Sequence, residues 1–141
     1  MPPPVSPGDL FAFYGLLKKG AAGMPAHIDL ETAGRFEGPS RFRAAMHDLG
    51  GFPGIVEGET LCHAVRWRIS DTAIVPALDA FEDVSDDPST SLYLRRRTEL
   101  LDDLGRQTGE HAFVYWFNRP SGAYPFIADG NWPLEAGRTF A

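Results

Sequence analysis

Residues 78 to 82, Leu-Asp-Ala-Phe-Glu, hold the side chain best placed to do chemistry. They end a helical pattern that begins at Asp71. At about 100° per residue, Ile74, Leu78 and Phe81 share one face, and Val75 widens it. Asp79 and Asp83 fall on the far side, toward solvent. Glu82 projects between Leu78 and Val75, inside the apolar arc. A carboxylate there costs free energy unless it is paired, hydrogen-bonded or protonated, which makes Glu82 a candidate acid/base group. The competing reading is a helix that ends early, so that Glu82 turns to water with Asp83, Asp86 and Asp87.

The other reactive types are less well arranged. Cys62 is the sole cysteine, so no internal disulfide can form. In a strand it points away from the adjacent His63, which argues against a Cys–His couple. His27, His47, His63 and His111 lack ligand spacing, and no metal site is expected. Gly15 follows an apolar run and opens the loop Gly15-Leu16-Leu17-Lys18-Lys19-Gly20. A glycine there permits a sharp turn and close approach of a ligand, and turned amides can form an anion-binding nest. An ordinary turn satisfies the same residues. The loop lacks the later glycines and the Lys-Ser/Thr pair of a phosphate loop.

With 141 residues, 43% of them apolar, the chain suits one domain with a proper core. The expected division is a flexible proline-rich arm over 1–9 and a single domain over 10–141. The formal net charge of −6 argues against a nucleic-acid binder, which needs a basic face. Arg95-Arg96-Arg97 is the one basic run. In a strand its members alternate between faces, and it reads as a solvated edge. No apolar run approaches a membrane span, and the first residues lack the basic and apolar regions of a signal peptide. A cytoplasmic protein with no membrane partner, a monomer or weak homodimer, is the expectation.

The elements that must position these residues are mostly strands. Residues 10 to 14, Leu-Phe-Ala-Phe-Tyr, read as a buried strand. Residues 26 to 37 fit either a strand or a turn of helix followed by a strand. A strand over 41–49 places Phe42, Ala44 and Met46 on one face. Gly50-Gly51-Phe52-Pro53-Gly54 is turn chemistry. Ile55-Val56 starts a short strand that Glu57-Gly58-Glu59 reverses. Leu61 to Ile69 alternates as a half-buried strand. Asp71 or Thr72 caps the helix, and Pro76 is tolerable only near the first turn, which limits how early the regular helix starts. Strands are expected over 92–101 and 111–117, joined by a hairpin-like connection at 102–109. The aromatic tail from Asn118 drapes over the body. Short strands with one clear helix indicate α+β: a small, curved or closed, mostly antiparallel β-barrel with a few packed helices.

Together these pieces resemble one family. Phe13-Tyr14-Gly15-Leu16-Leu17-Lys18-Lys19-Gly20 is similar to the opening motif of the γ-glutamylcyclotransferase-like (AIG2-like) superfamily. Leu49-Gly50-Gly51-Phe52-Pro53-Gly54 resembles its L-G-x-[YF]-P turn, and Leu78-Asp79-Ala80-Phe81-Glu82 its L-D-x-[FY]-E helix end. Tyr93-Leu94-Arg95 and Ala112-Phe113-Val114-Tyr115 resemble its Y-x-R and A-x-V-Y elements. Order and spacing agree across residues 10 to 117.

The resemblance implies a small β-barrel and a cyclising amide cleavage. The α-amine of a γ-glutamyl amine or γ-glutamyl amino acid attacks its own γ-carbonyl and releases 5-oxoproline and the free amine, without cofactor or metal. Glu82 is implied as the catalytic acid/base. Tyr14, Gly15, Leu16, Leu17 and Tyr115 are implied as substrate-binding residues, the loop through its backbone amides. Tyr93 and Arg95 form either a pocket wall or structural support, and the structural role is favoured. The intramolecular attack can offset several kcal/mol of barrier, up to roughly 7–11 in ideal geometry. An unperturbed Glu, with a pKa near about 4.3, accepts poorly from an ammonium near about 8. Burial that raises Glu82 removes most of that penalty. Leu16 stands where the family usually has Thr or Ser, which is harmless if that position acts through its amide. The alternative to an enzyme is a non-catalytic small-molecule-binding or interaction domain on the same barrel. In that case Tyr124, Phe126 or Trp132 from the tail would fill the cavity beside Glu82.

Overall fold

The computed structural model describes residues 4–15, 29–50, 52–84, 87 and 89–132. Among these described residues, five strands and two short helices occur in the order β1 (Leu10–Phe13), α1 (Leu30–Ala33), β2 (Gly34–Asp48), β3 (Pro53–Ile69), α2 (Val75–Phe81), β4 (Tyr93–Leu101) and β5 (Gln107–Phe117). The strands close into a barrel of order β1-β3-β2-β4-β5. Every pairing is antiparallel except the closing one, where β5 meets β1 in parallel at Phe11 and Phe113. The α+β, mostly antiparallel architecture read from the sequence is the one observed.

Alternation on β1 explains why all four of its residues are buried. Leu10 and Ala12 join one apolar cluster with Phe42, Ala44 and Met46; Phe11 and Phe13 join a second with Trp67 and Leu78. The second cluster is the one the helices cover: Leu30 and Ala33 of α1 and Leu78 of α2 belong to it. Phe42, Ala44 and Met46 share a face as expected, with no exposed surface. The region before β2 is a turn of helix followed by a strand, Asp29 capping α1 through the Thr32 amide.

Three local readings need correction. Glu57-Gly58-Glu59 does not reverse the chain, because β3 runs unbroken from Pro53 to Ile69. Its register against β2 passes from Ala44↔Thr60 to Ala45↔Val56, so residues 57–59 are taken up as a bulge. Gly58 permits this by lying against Ala45, where a Cβ would come within 2.7 Å of the alanine Cβ. β5 begins at Gln107 rather than 111, and the connection from β4 is correspondingly tight. Arg95 is not part of a solvated edge: it is 5% exposed and paired with the Asp79 carboxylate. The tail does pack on the body as far as it is described. The Ile127 amide donates to the Met46 carbonyl at 2.8 Å, and Trp132 is buried.

The helical segment starts as a 3-10 turn over Thr72–Ile74, whose first amides are met by the Asp71 carboxylate at 3.0 Å from Ala73 N. Pro76 then falls in the first turn of α2, where its missing N–H costs no bond. At the other end Glu82 is the C-cap and Asp83 adopts φ 52°. The Val84 amide donates to Asp79 O at 2.8 Å and the Asp83 amide to Ala80 O at 3.2 Å. This pair of bonds is the Schellman closure, and it fixes the backbone of Glu82 one residue after the helix. Leu78, with no exposed surface, is the buried anchor of α2. Leu78→Ala is expected to lower the unfolding free energy by about 2–5 kcal/mol in denaturant titration. Asp83→Gly should raise it by about 1 kcal/mol, because glycine adopts the left-handed conformation without the Cβ penalty.

Candidate active site

The end of α2, the end of β1, the start of β3 and the facing strands β4 and β5 enclose a cavity of about 260 Å³. Its described lining includes Phe13, Tyr14, Gly15, Pro53, Phe81, Glu82, Tyr93 and Tyr115. Four of the sequence-derived site residues, Glu82, Tyr14, Gly15 and Tyr115, therefore meet around one space. Leu16 and Leu17 lie outside the described residues. Tyr124, Phe126 and Trp132 are absent from the described lining. Tyr124 packs on Phe117, Phe126 on His47, and Trp132 joins the apolar cluster of Phe42, Ala44 and Met46.

Glu82 is half-buried and faces this cavity. The expectation that it lies within the apolar arc, rather than turning to water beside Asp83, agrees with that position. No described residue offers it a hydrogen bond or an opposite charge. Burial pushes its carboxyl up to about 8, and the nearby Asp79 carboxylate adds to the shift because two negative charges oppose one another. The group is thus largely protonated at neutral pH and able to give or take a proton near pH 8.

Asp79 does not face solvent as the helical wheel suggested. Its carboxylate receives both Arg95, through Nη1 at 2.5 Å from Oδ1, and the Tyr115 hydroxyl at 2.8 Å. Arg95 accordingly leaves the surface: its side chain is 4% exposed and sits 5.5 Å from the Phe113 ring centroid. A buried guanidinium without this carboxylate would be costly, so β4 and α2 are tied by charge behind the cavity. The sequence signal was present in the Leu-Asp-Ala-Phe-Glu and Tyr-Leu-Arg elements, but no local pattern could pair residues 16 positions apart.

Gly15 is required by close approach. A Cβ there would stand 2.7 Å from Pro53 Cγ, so Gly15 and Pro53 press together at the cavity wall. Tyr93 also lines the cavity, and its hydroxyl donates to the Pro53 carbonyl at 2.6 Å. Tyr14 donates to the Tyr115 carbonyl at 2.6 Å. Burial raises the pKa of all three tyrosines and so opposes their ionisation, and the Glu82 charge opposes it further in each. They are neutral hydroxyls grouped about one carboxyl. Among the described residues no cluster of His, Cys, Asp or Glu could hold a metal ion, and no helix is long and apolar enough to cross a membrane.

Comparison with known proteins places this geometry in a family. Solved structures similar to the chain include the ytfP protein of Escherichia coli, 25% identical, with a TM-score of 0.60 over 87% of this chain and 95% of that one. An aig2-like protein of Mus musculus is 19% identical, with a TM-score of 0.63 over 91% and 90% of the two chains. An uncharacterized protein of Pyrococcus horikoshii is 16% identical, with a TM-score of 0.59 over 87% and 88%. No curated protein matches the chain. The family model described as gamma-glutamyl cyclotransferase, AIG2-like, matches residues 11–134. Since that span includes every described element from β1's second residue to the tail, the chain belongs to the γ-glutamyl cyclotransferase, AIG2-like family.

Proposed function

We propose that the protein cleaves a γ-glutamyl amine or γ-glutamyl amino acid by cyclisation, with Glu82 as general acid/base. The observation that carries the proposal is the Glu82 carboxyl, pushed up to about 8 and facing a cavity, in a chain of this family. The substrate's α-ammonium gives a proton to the Glu82 carboxylate. Its nitrogen then bonds to the γ-carbonyl carbon, and the bond to the leaving nitrogen breaks as Glu82 returns the proton there. Overall two protons leave the α-nitrogen and two reach the leaving nitrogen, so 5-oxoproline and an ammonium product form with no net proton change.

The energetics favour this assignment. An α-ammonium has a pKa near about 8. Transfer to a carboxylate of ordinary pKa is uphill by roughly 5 kcal/mol, whereas transfer to Glu82 at about 8 is nearly level. The Gly15 amide and the amides after it are proposed to hold the substrate's carboxylate or the developing oxyanion. If residue 16 acts through its amide, Leu16 preserves that role. The binding-only alternative is less well supported, because the described tail aromatics leave the cavity unfilled.

Release of 5-oxoproline from a panel of γ-glutamyl amines and amino acids tests the reaction. Glu82→Gln is expected to lower kcat by at least about 100-fold while the variant remains folded. Unchanged turnover in that variant would sink the assignment of Glu82. The productive encounter needs ionised Glu82 and protonated amine, so kcat/KM should peak near pH 8. The acid limb belongs to Glu82, and the alkaline limb should move when the substrate amine has a different pKa.

The same carboxyl makes a separate prediction for folding. Its folded value is raised from 4.5 to about 8, so between these pH values the folded state holds a proton that the unfolded state releases. Stability must therefore fall as pH rises through that window. Glu82→Gln removes the penalty, and its stability advantage over wild type should grow by roughly 2–4 kcal/mol between pH 4.5 and pH 8.5. Parallel thermal melts across that range would detect it; an advantage independent of pH would contradict the buried-carboxyl account.

A further inference from the structure

The positions of the hydroxyl protons around the cavity lead beyond Glu82. A tyrosine hydroxyl has one proton to donate and lone pairs to accept with. Tyr93 commits its proton to the Pro53 carbonyl at 2.6 Å, and Tyr115 commits its proton to Asp79 Oδ1 at 2.8 Å. The two residues are 4% and 3% exposed, and both line the cavity. Tyr14 likewise gives its proton to the Tyr115 carbonyl at 2.6 Å. The remaining described lining side chains are apolar apart from Glu82. The described side chains thus offer a ligand oxygen lone pairs and one carboxyl, with every hydroxyl proton already used.

Such a wall suits a group rich in donors and poor in acceptors. A primary ammonium has three N–H donors and no acceptor. A carboxylate or carbonyl placed there would find one donor, the Glu82 proton, and otherwise lone pairs. We propose that Tyr93 and Tyr115, together with Glu82, cradle the α-ammonium of the ligand. Tyr93 and Tyr115 accept one N–H each, and the third points to Glu82. This inference deepens the reaction proposed above and rests on it for the identity of the ammonium as that of a γ-glutamyl group. Asp79 and Pro53 are positioning residues in this scheme. By taking the tyrosine protons they fix which way the hydroxyls face, and Arg95 holds the Asp79 carboxylate in place. Neutral tyrosines are required for this, and the burial that opposes their ionisation keeps them so.

The test is equilibrium binding of two probes without a cleavable acyl bond: L-methionine sulfoxide, whose S=O replaces the γ-carbonyl, and its counterpart lacking the α-amine, 4-(methylsulfinyl)butanoate. Wild type should bind the amine-bearing probe more tightly by about tenfold or more, the scale of a hydrogen bond to a charged group. Tyr93→Phe and Tyr115→Phe should each reduce that preference by about tenfold without weakening the des-amino probe. Equal weakening of both probes would assign these tyrosines a purely structural role and overturn the cradle, as would absence of any preference in wild type. Should either variant fail to fold, wild type alone decides. At pH 7 the ammonium draws Glu82 into its ionised form, so binding of the amine-bearing probe should release close to one proton, read by calorimetry in buffers of different ionisation heat. No difference in proton release between the probes overturns the proposal. Release of 5-oxoproline, followed in parallel, separates the two claims. Amine preference without turnover keeps the cradle and removes the reaction; turnover without amine preference does the reverse.

Discussion

An acidic side chain surrounded by aromatic rings, with no described counter-ion of its own, is the constraint on which the rest of this structure turns. Glu82 gains nothing from its position in folding terms, since burial opposes its charge and Asp79 opposes it again. The fold nevertheless holds it there by several independent means. The Schellman bonds from Asp83 and Val84 end the helix at that residue, Leu78 seats the helix on the barrel, and the Asp79–Arg95 pair ties it to β4. A residue kept in an unfavourable environment by this much surrounding structure is the pattern expected where stability yields to chemistry.

The charge behind Glu82 acts on it second to burial. A lone Asp79 carboxylate would repel Glu82 strongly. It is paired instead with Arg95 and the Tyr115 hydroxyl. The remaining repulsion raises Glu82 less than burial does. The pair therefore refines a shift that desolvation supplies, and it fixes the orientation of a cavity tyrosine at the same time. Removing either partner would leave the other buried without compensation, which is why the pair acts as one unit joining α2 to β4.

The sequence disclosed some of this and concealed the rest for physical reasons. Phe42-Ala44-Met46 was legible because that face of β2 meets the core. The single alternation read over Leu61 to Ile69 is not what β3 shows: Cys62 and Ala64 are buried at one end and Trp67 and Ile69 at the other, because the two faces pack on different apolar clusters. Glu82 was legible because helical periodicity set a carboxylate among apolar neighbours. Asp79 was misread by the same periodicity. A helical wheel divides residues into core and solvent, and has no place for a charge whose partner arrives from a strand 16 residues later. Arg95 was misread as solvated for the reciprocal reason. Glu57-Gly58-Glu59 has the composition of a turn, yet its glycine serves to bring the bulge against Ala45, a contact 13 positions away. Barrel closure by a parallel pair between the first and last strands leaves no local signal at all.

The proposed reaction, whose nucleophile belongs to the substrate, asks little of the protein, and the sparse described lining is consistent with that. Cyclisation needs the α-nitrogen held near the γ-carbonyl, one group to relay protons, and donors for the developing oxyanion. A small barrel with a cavity of about 260 Å³ and a single displaced carboxyl is sufficient for those needs. The proposed division of labour rests on donor count alone. Hydroxyls whose protons are already committed face the nitrogen, while backbone amides, which can only donate, face the carbonyl or carboxylate oxygens. Gly15 lines the cavity, pressed against Pro53 too closely for any side chain, and Pro53 also takes the Tyr93 proton. The close approach of Gly15 to Pro53 thus brings two motifs far apart in the chain together at one wall of the cavity.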